Sequence, residues 1–130
     1  MPKIEKYAAI GVYDPPVYSQ AVKVEGAQTL LYIAGQVDYD AEGKCAHPGD
    51  FKAQTRGVLV ALKAQVEAGG GTLANVVKLN TYVTDMRYRA DYGPIRSEFF
   101  GGKAPASTMV AVTALADPDF LIEIEAVAVV

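Results

Sequence analysis

Residues 50–85, DFKAQTRGVLVALKAQVEAGGGTLANVVKLNTYVTD, change from a helical to a strand period within one stretch. Apolar side chains first recur at helical spacing, at Phe51, Val58, Leu59, Leu62 and Val66. Asp50 can cap the start of this helix, and Gly69–Gly71 supply residues that end helices. From Val76 to Thr84, apolar residues alternate with more polar ones, which is typical of a strand with two unlike faces. The stretch therefore predicts a helix followed by a strand.

The segments before this helix have the composition of strands. Ala21–Glu25 and Thr29–Ala34 are rich in apolar and β-branched residues, and Gly26 between them favours a short turn. We therefore expect an antiparallel hairpin near the start of the chain. A loop over residues 38–50, rich in Asp, Gly and Pro, separates this hairpin from the first helix.

A second helix and two strands are predicted after the quoted stretch. Asp85 can cap a helix over about Met86–Phe100, and Gly93-Pro94 inside it indicates either a kink or a helix that starts only at Pro94. Strands are predicted at Ser107–Val112 and Leu121–Val129, with a polar turn between them.

The predicted order of elements, ββαβαββ, indicates a single α+β domain over residues 1–130. Both helices are amphipathic, so they are expected to cover one face of the sheet. The other face carries apolar residues as well, and in water it would leave a large apolar patch. We therefore expect this face to associate with a partner.

Composition narrows the class of function. The apolar fraction is 51%, yet no stretch is long enough to cross a membrane, and no secretory signal follows the start, so a cytoplasmic protein is expected. A single cysteine cannot form an internal disulfide. The net charge of −3 provides no general attraction to nucleic acid or anionic lipid. These features favour a small-molecule or protein partner over nucleic acid or membrane.

Three apparent sites are better explained by structure. Gly69–Gly71 follow a helix, whereas phosphate-binding glycines precede one. Cys45 and His47 lie two positions apart in a predicted loop with no third group to activate a thiolate. With one histidine, one cysteine and no clustered carboxylates, a metal centre is not expected.

The last predicted strand is more informative, because Glu123 and Glu125 share one face of an otherwise apolar run. One interpretation is that both carboxylates point into solvent. The other is a carboxylate in a semi-apolar pocket, where desolvation would raise its pKa and let it transfer protons near neutral pH. The strand alone does not decide between them.

Several short motifs occur together in a recognisable order. They are Pro16-Val17-Tyr18-Ser19-Gln20-Ala21-Val22, Ala34-Gly35-Gln36, Gln54-Thr55, Val76-Val77-Lys78, Phe99-Phe100, Pro105-Ala106-Ser107-Thr108 and Glu123-Ile124-Glu125-Ala126. In order and spacing this set resembles the RidA/YjgF (reactive intermediate deaminase) family over nearly the whole chain. The resemblance implies a chorismate-mutase-like α+β fold with two helices on one face of a mixed sheet. It also implies a homotrimer in which three sheets form a central barrel, with a ligand cleft between each pair of subunits.

The family's deaminases convert a reactive enamine or imine into a 2-oxo acid and ammonia without a cofactor. By resemblance, Glu123 corresponds to the carboxylate that activates water, and Tyr18 to the aromatic residue that contacts the ligand. Gly35 corresponds to a residue whose backbone lines the pocket, and Met109 to one whose carbonyl helps to hold the water. Structural alternatives are an interface aromatic for Tyr18, a bulge for Gly35 and core packing for Met109.

One departure from the family pattern concerns the substrate. Ser107 stands where the family's deaminases have an arginine that grips the substrate carboxylate. Losing this bidentate charged contact costs on the order of 1.5 to 3 kcal/mol, or roughly tenfold to over a hundredfold in affinity. One of three arginines in the second helix region, Arg87, Arg89 or Arg96, could supply the positive charge instead, and Arg96 is the favoured candidate. The alternative is that Arg96 is a solvent-exposed helix residue.

Two classes of function follow from these residues. The first is a deaminase for an enamine or imine that is larger than 2-aminoacrylate or anchored differently, such as the aminomuconate-type intermediates that some relatives handle. The second is a non-catalytic trimer that binds a small metabolite. Ribonuclease activity fits poorly, because the chain is acidic and has one histidine.

Overall fold

The computed structural model describes all residues from 1 to 130, which form seven strands and two α-helices. In chain order they are β1 (Lys3–Tyr7), β2 (Tyr18–Ser19), β3 (Ala21–Glu25), β4 (Leu30–Gln36), α1 (Phe51–Ala68), β5 (Val76–Val83), α2 (Arg89–Phe100), β6 (Ala104–Ala111) and β7 (Ile122–Val129). Short 3₁₀ turns at Leu73–Asn75 and Met86–Tyr88 precede β5 and α2. Neither α1 nor α2 combines the length and the hydropathy that a membrane-spanning helix needs.

The main sheet has five strands in the order β2-β6-β5-β7-β4. The β2/β6 and β5/β6 pairs are parallel, whereas the β5/β7 and β4/β7 pairs are antiparallel, so the sheet is mixed. Both helices pack on one face of it, and the buried core lies between helices and sheet. The predicted α+β class with two helices on one face of a mixed sheet is confirmed.

Helix α1 forms as the sequence predicts. The Asp50 side chain accepts a hydrogen bond of 3.0 Å from the Ala53 N–H, which satisfies one of the free donors at the helix start. The helix ends at Ala68 with Gly69 as its C-cap, and Gly70 follows with a positive φ of 95° that an L side chain rarely adopts. The apolar face of α1 is fully buried, with Val58, Leu59, Leu62 and Val66 at 0% exposure.

Helix α2 begins before Pro94, which was one of its two expected starting points. Asp85 caps the 3₁₀ turn by accepting from the Arg87 N–H at 2.9 Å, and α2 then runs from Arg89 with Pro94 inside it. The expectation that the helix starts only at Pro94 is wrong. Pro94 is the sixth residue of α2, so its missing N–H removes the one helical hydrogen bond that would reach the Ala90 carbonyl.

The predicted hairpin between residues 21–25 and 29–34 is wrong, although both strands exist. Strand β3 pairs along its length with β1 in a separate two-stranded antiparallel sheet, from Lys3 opposite Glu25 to Tyr7 opposite Ala21. Strand β4 pairs instead with β7, and mutual hydrogen bonds of 2.9 and 3.0 Å between Thr29 and Val130 extend that ladder. Local composition indicates strands, but it does not specify which strands pair.

The second face of the main sheet has no layer over it. Tyr32 is 77% exposed and Val110 is 41% exposed on this face, beside half-buried Tyr82 and Val127. We call this uncovered side the open face. The expectation that a partner covers it stays a prediction.

Candidate active site

A surface pocket of about 420 Å³ lies between α2 and the edge of the sheet where β2 and β6 pair. Of the six residues predicted to form the site, four line this pocket: Tyr18, Arg96, Ser107 and Met109. Three further residues of α2 also line it, Arg89, Tyr92 and Gly93, of which the sequence analysis considered only Arg89. The volume falls within the range of small-molecule sites.

Arg96 is buried in the wall of this pocket, so the interpretation of Arg96 as a solvent-exposed helix residue is wrong. Its side chain is only 8% exposed, and its guanidinium lies 5.4 Å from the centre of the Tyr92 ring. One guanidinium nitrogen donates to the Val17 carbonyl at 3.4 Å, while the buried Nε has no partner. No carboxylate of the chain pairs with it. A buried cation with an unsatisfied donor is costly unless an anion compensates it.

The two neighbouring arginines differ in their surroundings. Arg87 is held by Asp85, with Nε and Nη2 donating to Oδ2 at 2.9 and 2.6 Å, and this contact holds the pKa of Asp85 at about 2. Arg87 is also 91% exposed and lies outside the pocket. Arg89 lines the pocket and has no acidic partner. The pocket therefore has two unpaired arginines in its lining and no carboxylate.

The remaining pocket residues combine structural and lining roles. The Ser107 hydroxyl donates to the Pro105 carbonyl at 2.9 Å, which fixes it within its own strand. Met109 packs against the core and also faces the pocket, so the core-packing alternative holds together with the lining position. Tyr18 is half-buried at the start of β2, opposite Ala104.

The other two predicted residues, Gly35 and Glu123, lie on the open face of the sheet. Glu123 alternates with buried Ile122 and Ile124, so its side chain leaves β7 on the side away from the helices. The ladder between β4 and β7 shifts between Ile33 and Gln36, which places Gly35 in a β-bulge. A Cβ on Gly35 would collide with the Glu123 carboxylate. The bulge alternative for Gly35 is therefore correct, and the bulge also seats the carboxylate.

The two carboxylates of β7 have different partners. Glu125 accepts a hydrogen bond from the Tyr82 hydroxyl and another from Asn80 Nδ2 at 3.3 Å. The bond from Tyr82 to Glu125, aided by burial, raises the pKa of Tyr82. Glu123 is half-buried yet accepts no hydrogen bond and pairs with no cation of the chain. Its oxygens are therefore free to bind a water molecule or a ligand.

A third group of polar residues lies in the loop before α1. His47 Nδ1 and the buried Asp38 Oδ2 are 2.6 Å apart, and Asp38 was missed because nothing in the sequence links it to His47. The Cys45 thiol lies 3.6 Å from the Asp119 carbonyl, and burial raises the pKa of that thiol. A raised pKa is the opposite of what a nucleophilic thiolate requires. No three metal-ligating side chains cluster anywhere in the chain.

Comparison with known proteins covers nearly the whole chain. Residues 13–130 match the family model described as Endoribonuclease L-PSP. A RutC family protein of Pyrococcus horikoshii is 43% identical over 111 residues, which is 85% of each protein.

Solved structures resemble the fold along its full length. A Yersinia pestis protein described as one of unknown function in the conserved Rid family, YyfB, superposes with a TM-score of 0.85 at 34% identity over 98% of both chains. RidA from an Antarctic Psychrobacter has a TM-score of 0.72 at 35% identity, covering 95% of this chain and 92% of its own.

Proposed function

Because the chain belongs to the RidA/YjgF family, we propose that it hydrolyses a reactive enamine or imine to an oxo compound and ammonia. The observation that carries this proposal is the Glu123 carboxylate. It is half-buried, lies against the Gly35 bulge, and has no partner in the chain, whereas Glu125 beside it is hydrogen-bonded. A free carboxylate in this setting can hold and deprotonate a water molecule.

The chemistry needs a proton carrier and one water. The enamine first becomes an imine when a proton moves from nitrogen to carbon. Glu123 then takes a proton from water as the water oxygen bonds to the imine carbon, and it returns the proton to the nitrogen. The carbinolamine formed in this way then passes its hydroxyl proton through Glu123 to the nitrogen, and ammonia leaves as the C–N bond breaks and the C=O bond forms. The balance is one imine and one water to one oxo compound and one ammonia.

The other predicted residues have supporting roles in this proposal. Tyr18 contacts the ligand from the pocket side, and Ser107 contributes a neutral polar wall. The backbone of Gly35 and the carbonyl of Met109 hold the water near Glu123. Positioning of this kind lowers the activation free energy, because the entropy cost of bringing the reacting groups together is met on binding.

A single chain does not bring all six residues to one place. Side chains on opposite faces of a sheet point apart, and the pocket lies on the helix side whereas Glu123 lies on the open face. We therefore propose a homotrimer in which open faces pack together and the Glu123 face of one copy completes the pocket of its neighbour. The exposed Tyr32 and Val110 on the open face support burial of this surface.

The test measures ammonia released from imines that amino-acid oxidases generate in situ. A panel of neutral, bulky and acidic precursors is compared with no protein, wild-type protein, Glu123→Gln and the matched control Glu125→Gln. We expect acceleration that Glu123→Gln loses and Glu125→Gln largely keeps. If the folded protein binds small oxo acids but accelerates no imine, the function is that of a binding trimer. RNA degradation that is unchanged in Glu123→Gln would also contradict the proposal.

A further inference from the structure

The pocket beside α2 contains a charge that the proposed chemistry at Glu123 does not use. Arg96 is 8% exposed, has an unpartnered Nε, and pairs with no carboxylate. The Tyr92 ring at 5.4 Å and the Val17 carbonyl hold the guanidinium in place, so little side-chain freedom is lost when an anion binds. An arginine in this setting matches a carboxylate or a similar planar anion.

A second unpaired arginine lies on the same side of the helix. Arg89 and Arg96 are seven residues apart, which is close to two helical turns and roughly 10 Å along the axis. Between them lies Gly93, where an added Cβ would meet no atom within 4 Å. The missing side chain leaves the helix surface open from one arginine to the other. The pocket can therefore accept an elongated ligand along α2.

We propose that the ligand of this pocket carries two acidic groups, one bound by Arg96 and the other by Arg89. This inference rests on the proposed deaminase function and names its substrate class, the imines of dicarboxylic amino acids and extended dicarboxylates of similar length. Arg96 binds the carboxylate near the reacting carbon, because it is buried deeper and lies with Tyr18 and Ser107 in the pocket wall. Arg89 binds the distal carboxylate at the exposed end.

The absence of any acidic residue from the pocket lining supports the assignment. A neutral or cationic ligand would leave the buried Arg96 guanidinium without compensation, whereas a dianion neutralises Arg96 and also pairs with the exposed Arg89. Arg87, two residues before Arg89, differs from both pocket arginines because it already forms an ion pair with Asp85. It supplies a matched control of the same residue type on the same segment.

Calorimetry with stable oxo acids tests the binding without turnover. 2-Oxoglutarate and oxaloacetate are compared with the monocarboxylates 2-oxobutyrate and pyruvate on wild-type protein, Arg96→Gln, Arg89→Gln and Arg87→Gln. We expect the dicarboxylates to bind at least about tenfold more tightly than the monocarboxylates. Arg96→Gln should weaken both ligand types by roughly ten- to a hundredfold, Arg89→Gln only the dicarboxylates, and Arg87→Gln neither.

Because Arg96 is buried, Arg96→Gln could fail to fold, and a second variant is needed that tests the same site. Gly93→Leu fills the pocket and leaves both arginines in the sequence. Gly93→Ala is its control, because it carries the same cost of a side chain before Pro94 but leaves most of the space. Dicarboxylate binding should be lost in Gly93→Leu and largely kept in Gly93→Ala.

The proposal is overturned if dicarboxylates bind no better than monocarboxylates, or if Arg87→Gln weakens binding as much as Arg89→Gln. These outcomes are distinct from failure of the deaminase. Ammonia release with no acidic preference would retain the deaminase and remove the dianion site. Dicarboxylate binding without ammonia release from any imine would retain the dianion site and remove the deaminase.

Discussion

The carboxylate of Glu123 occupies the space that a side chain on residue 35 would need. Glycine is required there by this neighbour and not by its backbone, because Gly35 has no positive φ. The bulge of β4 thus brings a main chain against the carboxylate on β7. This relation fixes where the Glu123 oxygens lie on the open face.

We therefore expect Gly35→Ala to displace Glu123 and to lower the rate of ammonia release by about a hundredfold, the effect of a misplacement near 1 Å. Gly102→Ala is the control, because a Cβ there meets no atom within 4 Å and the backbone has no positive φ. Thermal unfolding of Gly35→Ala should improve when Glu123→Ala is added, since the collision is then removed. Unchanged activity in Gly35→Ala would show that the position of Glu123 is not critical.

The ion pair between Arg87 and Asp85, which lies outside the pocket, is expected to make stability depend on pH. Hydrogen bonds from Arg87 hold the pKa of Asp85 at about 2, below its ordinary value of 3.8. Because the folded pKa is depressed, the stabilisation is fully present above about 3.8 and is lost as the pH falls through about 2. In Arg87→Ala the pKa of Asp85 should rise towards 3.8, as a carboxyl NMR titration would show, while oxo-acid affinity stays the same. A change in affinity would place Arg87 in the binding site.

Gln54 is expected to be among the most sensitive polar positions for stability. It is fully buried, donates to the His47 and Asp119 carbonyls at 3.0 and 2.9 Å, and accepts from the Leu121 N–H at 2.9 Å. Gln54→Leu leaves these backbone groups unsatisfied, so the free energy of unfolding should fall by about 3 kcal/mol or more. Urea denaturation measures the loss, with the exposed Gln65→Leu as control. Equal stability of the two variants would mean that water replaces Gln54.

The sequence predicts those parts of the fold that depend on local periodicity. The buried face of α1 and the alternation of β5 follow directly from residue spacing, because one side of each element contacts the core. Strand pairing does not follow from residue spacing, because no local pattern specifies a partner. The pairing of β3 with β1 was therefore not predicted. Composition alone could not choose between two antiparallel arrangements.

The candidate site also has features that residue spacing predicts and features that depend on tertiary packing. Motif spacing proposed Glu123 and Gly35 as site residues, but the different hydrogen bonding of Glu123 and Glu125 depends on Tyr82, which bonds only Glu125. The burial of Arg96 depends on packing of α2 against the β2 and β6 edge, which no residue pattern reveals. The one available signal was the spacing of Arg89, Gly93 and Arg96 on one helical face.

A site shared between subunits predicts recovery of activity from two inactive variants. Glu123→Gln removes the carboxylate on the open face, and Gly93→Leu obstructs the pocket on the helix side. In a cyclic trimer, each mixed assembly keeps one interface in which both halves are intact, and about three quarters of randomly formed trimers are mixed. Co-expression of the two variants should therefore restore about a quarter of the wild-type ammonia release. Each variant purified alone stays inactive, and combining them without subunit exchange is the control. If both halves of the site belong to one chain, no mixed trimer holds an intact site and co-expression restores nothing.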